Sequence, residues 1–202
     1  MEELTINLKS IPTLWTTCAK SKDRHQAMHS MLLRLGLKGE MVDGPITTPY
    51  PIGVASGYIQ ALSKYDPPFL ILEDDATLIN DFDLENFNIP TNSDAIYLGT
   101  SVYGRIRKST ISGGVIAANF NNKYIKVFNM LSFHAVLYTS KSYVQDVIKM
   151  LQNFLQNPVG GADDCIAESM WKYNIYALNE PLFYQKDGRS DNATRTPITC
   201  LL

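Results

Sequence analysis

Three consecutive carboxylates, Glu73-Asp-Asp75, follow directly on the apolar run Phe69-Leu-Ile-Leu72. Adjacent acids repel one another and are costly to desolvate without a counter-charge. A divalent cation bound through oxygen removes that cost, and it commonly carries a substrate phosphate as well. The apolar run has the unalternating pattern of a fully buried strand, so the acids should emerge where that strand surfaces. On this reading Asp75, Asp74 and Glu73 are metal ligands. A solvated acidic turn after a strand is the plainer reading of the same letters.

A second acidic pair closes Gly160-Gly-Ala-Asp-Asp164. The glycines allow close backbone approach, and the acids fall in the first turn of an expected helix. There a carboxylate complements the helix dipole by roughly 0.3–1 kcal/mol without any catalytic role. Alternatively Asp163 or Asp164 is a general base that takes a proton from a hydroxyl nucleophile. His134 opens an apolar strand and is either a site-edge ligand or a satisfied structural histidine. His25 and His29 have metal-binding spacing but no third ligand, and they sit opposite the apolar helix face, toward solvent. Trp15 and Trp171 are stacking platforms or packing residues.

The elements that must position these groups follow from periodicity and turn chemistry. Leu4–Leu8 reads as a first strand, ended by Lys9-Ser10 and the Ile11-Pro12 step. Ser21 caps a helix that places Ala27, Met28, Met31, Leu32 and Leu35 on one face, and Gly36 and Gly39 close it. Glu40–Val42 is a second strand, residues 47–52 are a loop, and a helix over Val54–Tyr65 leads through Asp66-Pro-Pro68 into the acidic strand. Residues 81–92 read as polar surface, Ala95–Leu98 as a strand and 101–113 as a loop. Gly114–Ala118, Tyr124–Phe128 and Ala135–Tyr138 give three strands in succession, which implies antiparallel pairing in the second half. Helices over Ser140–Leu155 and Ala162–Tyr173 and a strand over Ile175–Leu178 complete the pattern. The polar tail from Gln185 carries Lys186, Arg189 and Arg195. The sum is one α/β domain with a Rossmann-like mixed sheet flanked by helices. Ligands should bind at the carboxyl ends of its strands, where the loops diverge.

Composition narrows the function further. At 202 residues, 45% apolar and 19% charged, the chain suits one soluble globular domain. A net charge of −2 argues against nucleic-acid binding. No apolar run reaches transmembrane length, and the acidic start is unlike a signal peptide. Cys18, Cys165 and Cys200 fit no zinc spacing and no disulfide framework. Reduced thiols point to the cytoplasm, so the Asn192-Ala-Thr194 sequon should be silent, and Cys200 forms no prenylation box. An unanchored tail is also what a boundary inside a longer polypeptide would leave.

The order of these pieces resembles the lipopolysaccharide-type glycosyltransferases of family 25, within the GT-A nucleotide-sugar-binding group. Ile6-Asn-Leu8 is similar to the family's opening strand, and Leu72-Glu-Asp-Asp75 stands in for its Asp-x-Asp motif. His134–Tyr138, followed by Ser140-Lys141, occupies the place of its strand before a helix. Asp163-Asp164, then Tyr176, Pro181, Gln185 and Ser190-Asp191, follows its closing pattern. The chain departs from the family where Ser56 is followed by Gly57 rather than His, and in an arginine displaced to Arg24. The resemblance implies an inverting, Mn²⁺- or Mg²⁺-dependent transfer of a sugar from a nucleoside diphosphate, UDP favoured, to a hydroxyl of a glycan or glycoconjugate. It makes the whole chain, residues 1–202, one catalytic domain. Residues 1–100 would hold metal and donor, and residues 101–202 the acceptor side and a closing tail. Asn7, Lys9, Ser56, Glu73, Asp74, His134 and Gln185 would contact the donor, and Gln185–Asp191 would close over the diphosphate. A virus-encoded member would work in the host cytoplasm.

Two other readings compete. Glu73-Asp-Asp-Ala-Thr77 is one residue from the Asp-x-Asp-x-Thr of haloacid-dehalogenase-type phosphatases, with Glu73 at the nucleophile's place. A non-catalytic nucleotide-sugar-binding module would use the same acids only to hold an ion.

Overall fold

The computed structural model describes residues 2–18, 22–79, 82–105 and 112–185. In chain order the first half runs β1 (Glu3–Ile6), β2 (Thr13–Thr17), α1 (Lys22–Leu35), β3 (Gly39–Asp43), α2 (Tyr50–Leu62), β4 (Phe69–Glu73), β5 (Ala76–Leu78), β6 (Phe87–Pro90) and β7 (Ala95–Tyr97). The second half follows with β8 (Tyr103–Arg105), β9 (Ser112–Gly114), β10 (Ile116–Asn119), β11 (Tyr124–Asn129), β12 (Ala135–Tyr138) and α3 (Lys141–Gln156). It ends with α4 (Asp164–Ala167), a 3-10 turn at Met170–Lys172, β13 (Ile175–Leu178) and β14 (Phe183–Gln185).

Eight strands form one mixed sheet in the order β10-β11-β13-β7-β12-β4-β2-β3. β3, β2 and β4 are parallel, as are β7 and β13, and β12 runs antiparallel between β4 and β7. β10 and β11 add antiparallel pairs at the far edge. The α/β class and the antiparallel character of the second half are therefore as expected. β4 explains its own sequence: Phe69 and Ile71 pack into the core on one face of the sheet, and Leu70 and Leu72 into the core on the other. A strand buried on both faces has no reason to alternate.

The order β3-β2-β4 carries the functional consequence. From β2 the chain crosses through α1 to β3 on one side, then returns through α2 to β4 on the other. α1 buries Met28, Leu32 and Leu35 against one face, whereas α2 buries Tyr58, Ala61 and Leu62 against the opposite face together with α3. The carboxyl ends of β2 and β4 therefore flank a topological switch point, where a crevice opens between diverging loops.

Several expected boundaries move. The strand near the N-terminus exists, but it pairs with β6 in a separate two-stranded sheet. The strand that enters the main sheet is β2, with all five residues buried. α2 starts at Tyr50 inside the expected loop, because Pro49 and Pro51 occupy the cap and first turn, where a missing N–H costs nothing. It ends at Leu62, leaving Tyr65 outside it, 43% exposed and bonded to Glu40. The stretch expected to be polar surface contains β6 and buried Leu84, Phe87 and Ile89. The helix expected over Ala162–Tyr173 is two short pieces. His25 is half-buried and His29 exposed, so only His29 faces solvent as expected. Both rings meet the buried Trp15 edge-on, at 5.3 and 5.5 Å. Trp171 is exposed. The predicted cap Ser21 lies outside the described residues.

α2 is held tightly at its N-terminal half. A Cβ at Gly57 would stand 3.0 Å from the Gly44 Cα, and one at Gly53 would stand 2.2 Å from the Pro45 carbonyl oxygen. Glycine at 57 is what lets the helix seat on the turn after β3.

Candidate active site

β4 ends at Glu73, and the Asp74-Asp75 turn leads into β5, so three successive carboxylates meet different partners. Backbone bonds fix the turn: Glu73 N–H donates to the His134 carbonyl and Asp74 N–H to that of Thr16, each at 3.0 Å. Asp74 is buried and turned toward β2 and α1. Its Oδ2 accepts from Thr17 Oγ1 at 2.6 Å and its Oδ1 from Arg24 Nη1 at 3.0 Å. Both of its oxygens are thus engaged, and Asp74 braces the turn. Asp75 accepts from Gln185 Nε2 at 3.0 Å through Oδ2, with Arg24 3.7 Å away. Its Oδ1 is buried and has no hydrogen-bond partner among the described residues. β14 supplies Gln185 because it pairs with β5 in register Gln185↔Ala76.

Glu73 faces a cavity of about 200 Å³ that Tyr50, Val54, Ser132, His134 and Asp163 also line. A smaller lobe of about 100 Å³, lined by Thr16, Cys18 and Asp75, adjoins it. Tyr50, Val54, Glu73 and Gln185 line both lobes. On the other side of the acidic turn, a wider groove of about 510 Å³ runs between α1 and β5.

The electrostatics are dominated by unneutralised acid. Burial, then the charges of Asp75, Asp163 and Asp74, push the Glu73 carboxyl well above the usual carboxylate range, against the pull of Arg24. Burial also raises Asp75, and its bond from Gln185 opposes the rise. Asp163 is pushed up to about 6 by burial and by the charge of Asp164. Burial and the nearby carboxylates hold the Cys18 thiol protonated, with a pKa of about 11.

The Asp163-Asp164 pair separates into two roles. Asp164 Oδ2 accepts from Gly161 N–H at 2.8 Å and lies 3.4 Å from Arg105 Nη1. It clamps the glycine turn, where Gly160 has φ +79°, and does not line the cavity. Asp163 does line it. A carboxylate that makes no ion pair among the described residues and titrates near neutrality is the better general base.

His134 is buried immediately ahead of the adjacent strand β12, with Nδ1 3.0 Å from Ser132 Oγ. Burial pushes its ring down to about 4, so it is neutral at physiological pH. Its Nε2 rests on Gly99, where a Cβ would stand only 2.0 Å away. Three predicted donor residues are not brought to this site. Asn7 and Lys9 lie ahead of β2, at the amino end of a strand whose carboxyl end borders the acidic turn. The Asn7 side chain accepts from Lys9 N–H, and Lys9 Nζ pairs with Glu85 at 2.8 Å. The strand that reaches the acidic turn is β2, whereas β1 pairs with β6 in a separate sheet. Ser56 lies on α2 beyond the cavity wall, which Tyr50, Pro51 and Val54 supply instead. Lys186 and Arg189 to Arg195, with the closing segment, the Ser190-Asp191 pair, the sequon and Cys200, lie outside the described residues. Thr17, Arg105 and Tyr50 join the site without a local sequence signal that marks them. The nearest cues are a β-branched run ending in Thr16-Thr17 and an aromatic flanked by two prolines.

Among the described residues, no three His, Cys, Asp or Glu side chains converge to hold an ion. A closed protein cage for a cation is therefore not built from them. Glu73 and the orphaned Oδ1 of Asp75 nevertheless suit Mg²⁺ or Mn²⁺ in its open mode, in which one or two carboxylates bind and phosphates and waters complete the shell. The donor set fits a cation that arrives with a phosphate. No helix among the described residues is long and apolar enough to cross a membrane. Compared with known protein families and with curated proteins, the chain matches none.

Proposed function

We propose that the chain is a metal-dependent glycosyltransferase of GT-A type, transferring a sugar from a nucleoside diphosphate, UDP favoured, to a glycan or glycoconjugate hydroxyl. One observation carries this reading: at the switch point two cavities adjoin across shared Glu73 and Gln185, one lined by Asp75 and the other by Asp163. Asp163 accepts the acceptor's hydroxyl proton as that oxygen bonds to the anomeric carbon. The bond from that carbon to the diphosphate oxygen breaks in the same step, and its electron pair leaves with the diphosphate. One base and one displacement invert the anomeric centre, with no covalent intermediate. Glu73 and Asp75 would hold Mn²⁺ or Mg²⁺, which when bound neutralises charge on the departing diphosphate. Asp74, through Thr17 and Arg24, keeps the acidic turn in place, and Gln185 orients Asp75. Cytoplasmic action accords with the two free cysteines among the described residues.

Calorimetric titration of UDP, GDP and their common sugars, with and without Mn²⁺, tests the reading. Metal-dependent binding of one nucleotide-sugar that Asp75→Asn abolishes is expected, with turnover once an acceptor is supplied. Binding without turnover would leave a binding module. Hydrolysis of a phosphomonoester in the absence of nucleotide binding would transfer the site to the phosphatase class.

A further inference from the structure

An in-line displacement puts the donor sugar between two things, the departing diphosphate and the base that activates the acceptor. Given the proposed transfer, on which this inference rests, the diphosphate lies by Asp75 in the small lobe and the acceptor hydroxyl by Asp163 in the large one. The sugar ring then occupies the junction, so the residues common to both lobes are the ones able to touch it. These are Tyr50, Val54, Glu73 and Gln185. Only one of them carries an aromatic ring.

Tyr50 is an unusual residue for its place. It is 56% exposed. Among the described residues it has neither a hydrogen bond nor a ring neighbour, although ten other aromatic pairs are formed. Its hydroxyl end is close enough to the acidic turn for burial and the neighbouring Cys18, Glu73, Asp74 and Asp75 to push it up to about 12. The ring is also rigidly based. It stands in the first turn of α2 between Pro49 and Pro51, and Gly53 and Gly57 lock that helix to the turn after β3. A large apolar face held at a cavity rim without a protein partner is suited to a ligand's apolar face. A pyranose offers one, because its axial C–H bonds form an apolar surface between hydroxyl edges. The negative face of an aromatic ring attracts those polarised C–H groups.

We propose that Tyr50 is the platform on which the donor's pyranose ring stacks, and that it sets affinity for the sugar independently of the nucleotide. Titrations of the full chain with UDP, UDP-glucose, UDP-galactose and UDP-N-acetylglucosamine, all with Mn²⁺, test this on wild type, Tyr50→Phe and Tyr50→Ala. For the preferred sugar, Tyr50→Ala should weaken binding about ten-fold and Tyr50→Phe less than about three-fold. UDP alone should bind all three proteins within about two-fold. Equal weakening of UDP and UDP-sugar in Tyr50→Ala, or no weakening of either, overturns the platform and leaves the transferase reading intact. Failure of wild type to bind UDP with Mn²⁺ removes the reading and the platform with it.

Discussion

Gln185 donates from Nε2 to Asp75 Oδ2 across 3.0 Å, so β14 fixes the orientation of the carboxylate that ends the acidic turn. The bond leaves Oδ1 directed elsewhere, buried and without a hydrogen-bond partner among the described residues. A group that orients a metal-binding carboxylate commonly contributes ten- to a hundred-fold in affinity. Gln185→Ala should therefore weaken Mn²⁺-dependent UDP binding by about ten-fold, while Asp75→Asn abolishes it. Calorimetry measures both, and an unchanged affinity in Asp75→Asn removes Asp75 from the metal site.

The two acids after Gly160-Gly161 are adjacent in sequence and separate in duty. Asp163→Asn should lower kcat by about 10²–10⁴-fold and leave nucleotide-sugar affinity nearly unchanged, as loss of a general base does. Asp164→Asn should act through the fold, since it loses the ion pair with Arg105 and weakens its bond from Gly161. A cost of about 1–3 kcal/mol in denaturant unfolding is expected, with a smaller loss of rate. If the ranking of kcat were reversed, the base would be Asp164.

Much of this site was legible because its strands have local signatures. β4 and β12 fall where their apolar runs place them, and Ser140 caps α3 through its bond from the Tyr143 N–H. β2 was not legible, because Thr-Leu-Trp-Thr-Thr buries polar side chains whose partners lie far along the chain. Thr17 bonds to Asp74, and Thr16 meets the Leu72 carbonyl. Which of Asp163 and Asp164 faces the cavity depends on Arg105 from β8, a long-range pairing that spacing does not encode. The seat of α2 against Gly44 is likewise a tertiary contact. It brings Tyr50 to the rim in place of Ser56.

Gly99 sets the seat of His134. A methyl group there would meet the imidazole at 2.0 Å, and the two residues flank β7 and β12, which are paired in the interior of the main sheet. Gly99→Ala should cost about 1–3 kcal/mol, as overpacking of a dense core does. For a chain of this size that lowers Tm by about 2–4 °C per kcal/mol. A second substitution, His134→Ala, should recover part of the loss by making room, and a thermal melt of the double variant measures it.

Buried acid should make the fold less stable as pH rises. Asp163 ordinarily titrates at 3.8 and is raised to about 6 in the folded protein. Between those values the folded state holds a proton that the unfolded state has released, so stability falls through this window and the loss is complete above about pH 6. Glu73 acts in the same direction. Glu73→Gln and Asp163→Asn should therefore raise Tm at pH 8, each by an amount on the order of 1 kcal/mol, or about 2–4 °C, and have little effect at pH 3.5. Lower Tm values at pH 8 would mean that these carboxylates are compensated in the folded chain.

The same titration should govern the rate. Only the ionised form of Asp163 accepts a proton, so kcat/KM of the free enzyme should rise about ten-fold per pH unit up to about pH 6 and then level. The charge of Asp164 helps to hold Asp163 high, whereas Arg105 pulls it down. Asp164→Asn removes the first influence and keeps the second, so its acid limb should move to lower pH even as its plateau falls. Arg105→Gln should move the limb to higher pH. A scaffold defect alone would lower the plateau without moving the limb. pH–rate profiles of wild type and these two variants therefore separate an electrostatic coupling to Asp163 from a purely structural one, and an acid limb unmoved in both would leave Asp163 outside the chemistry.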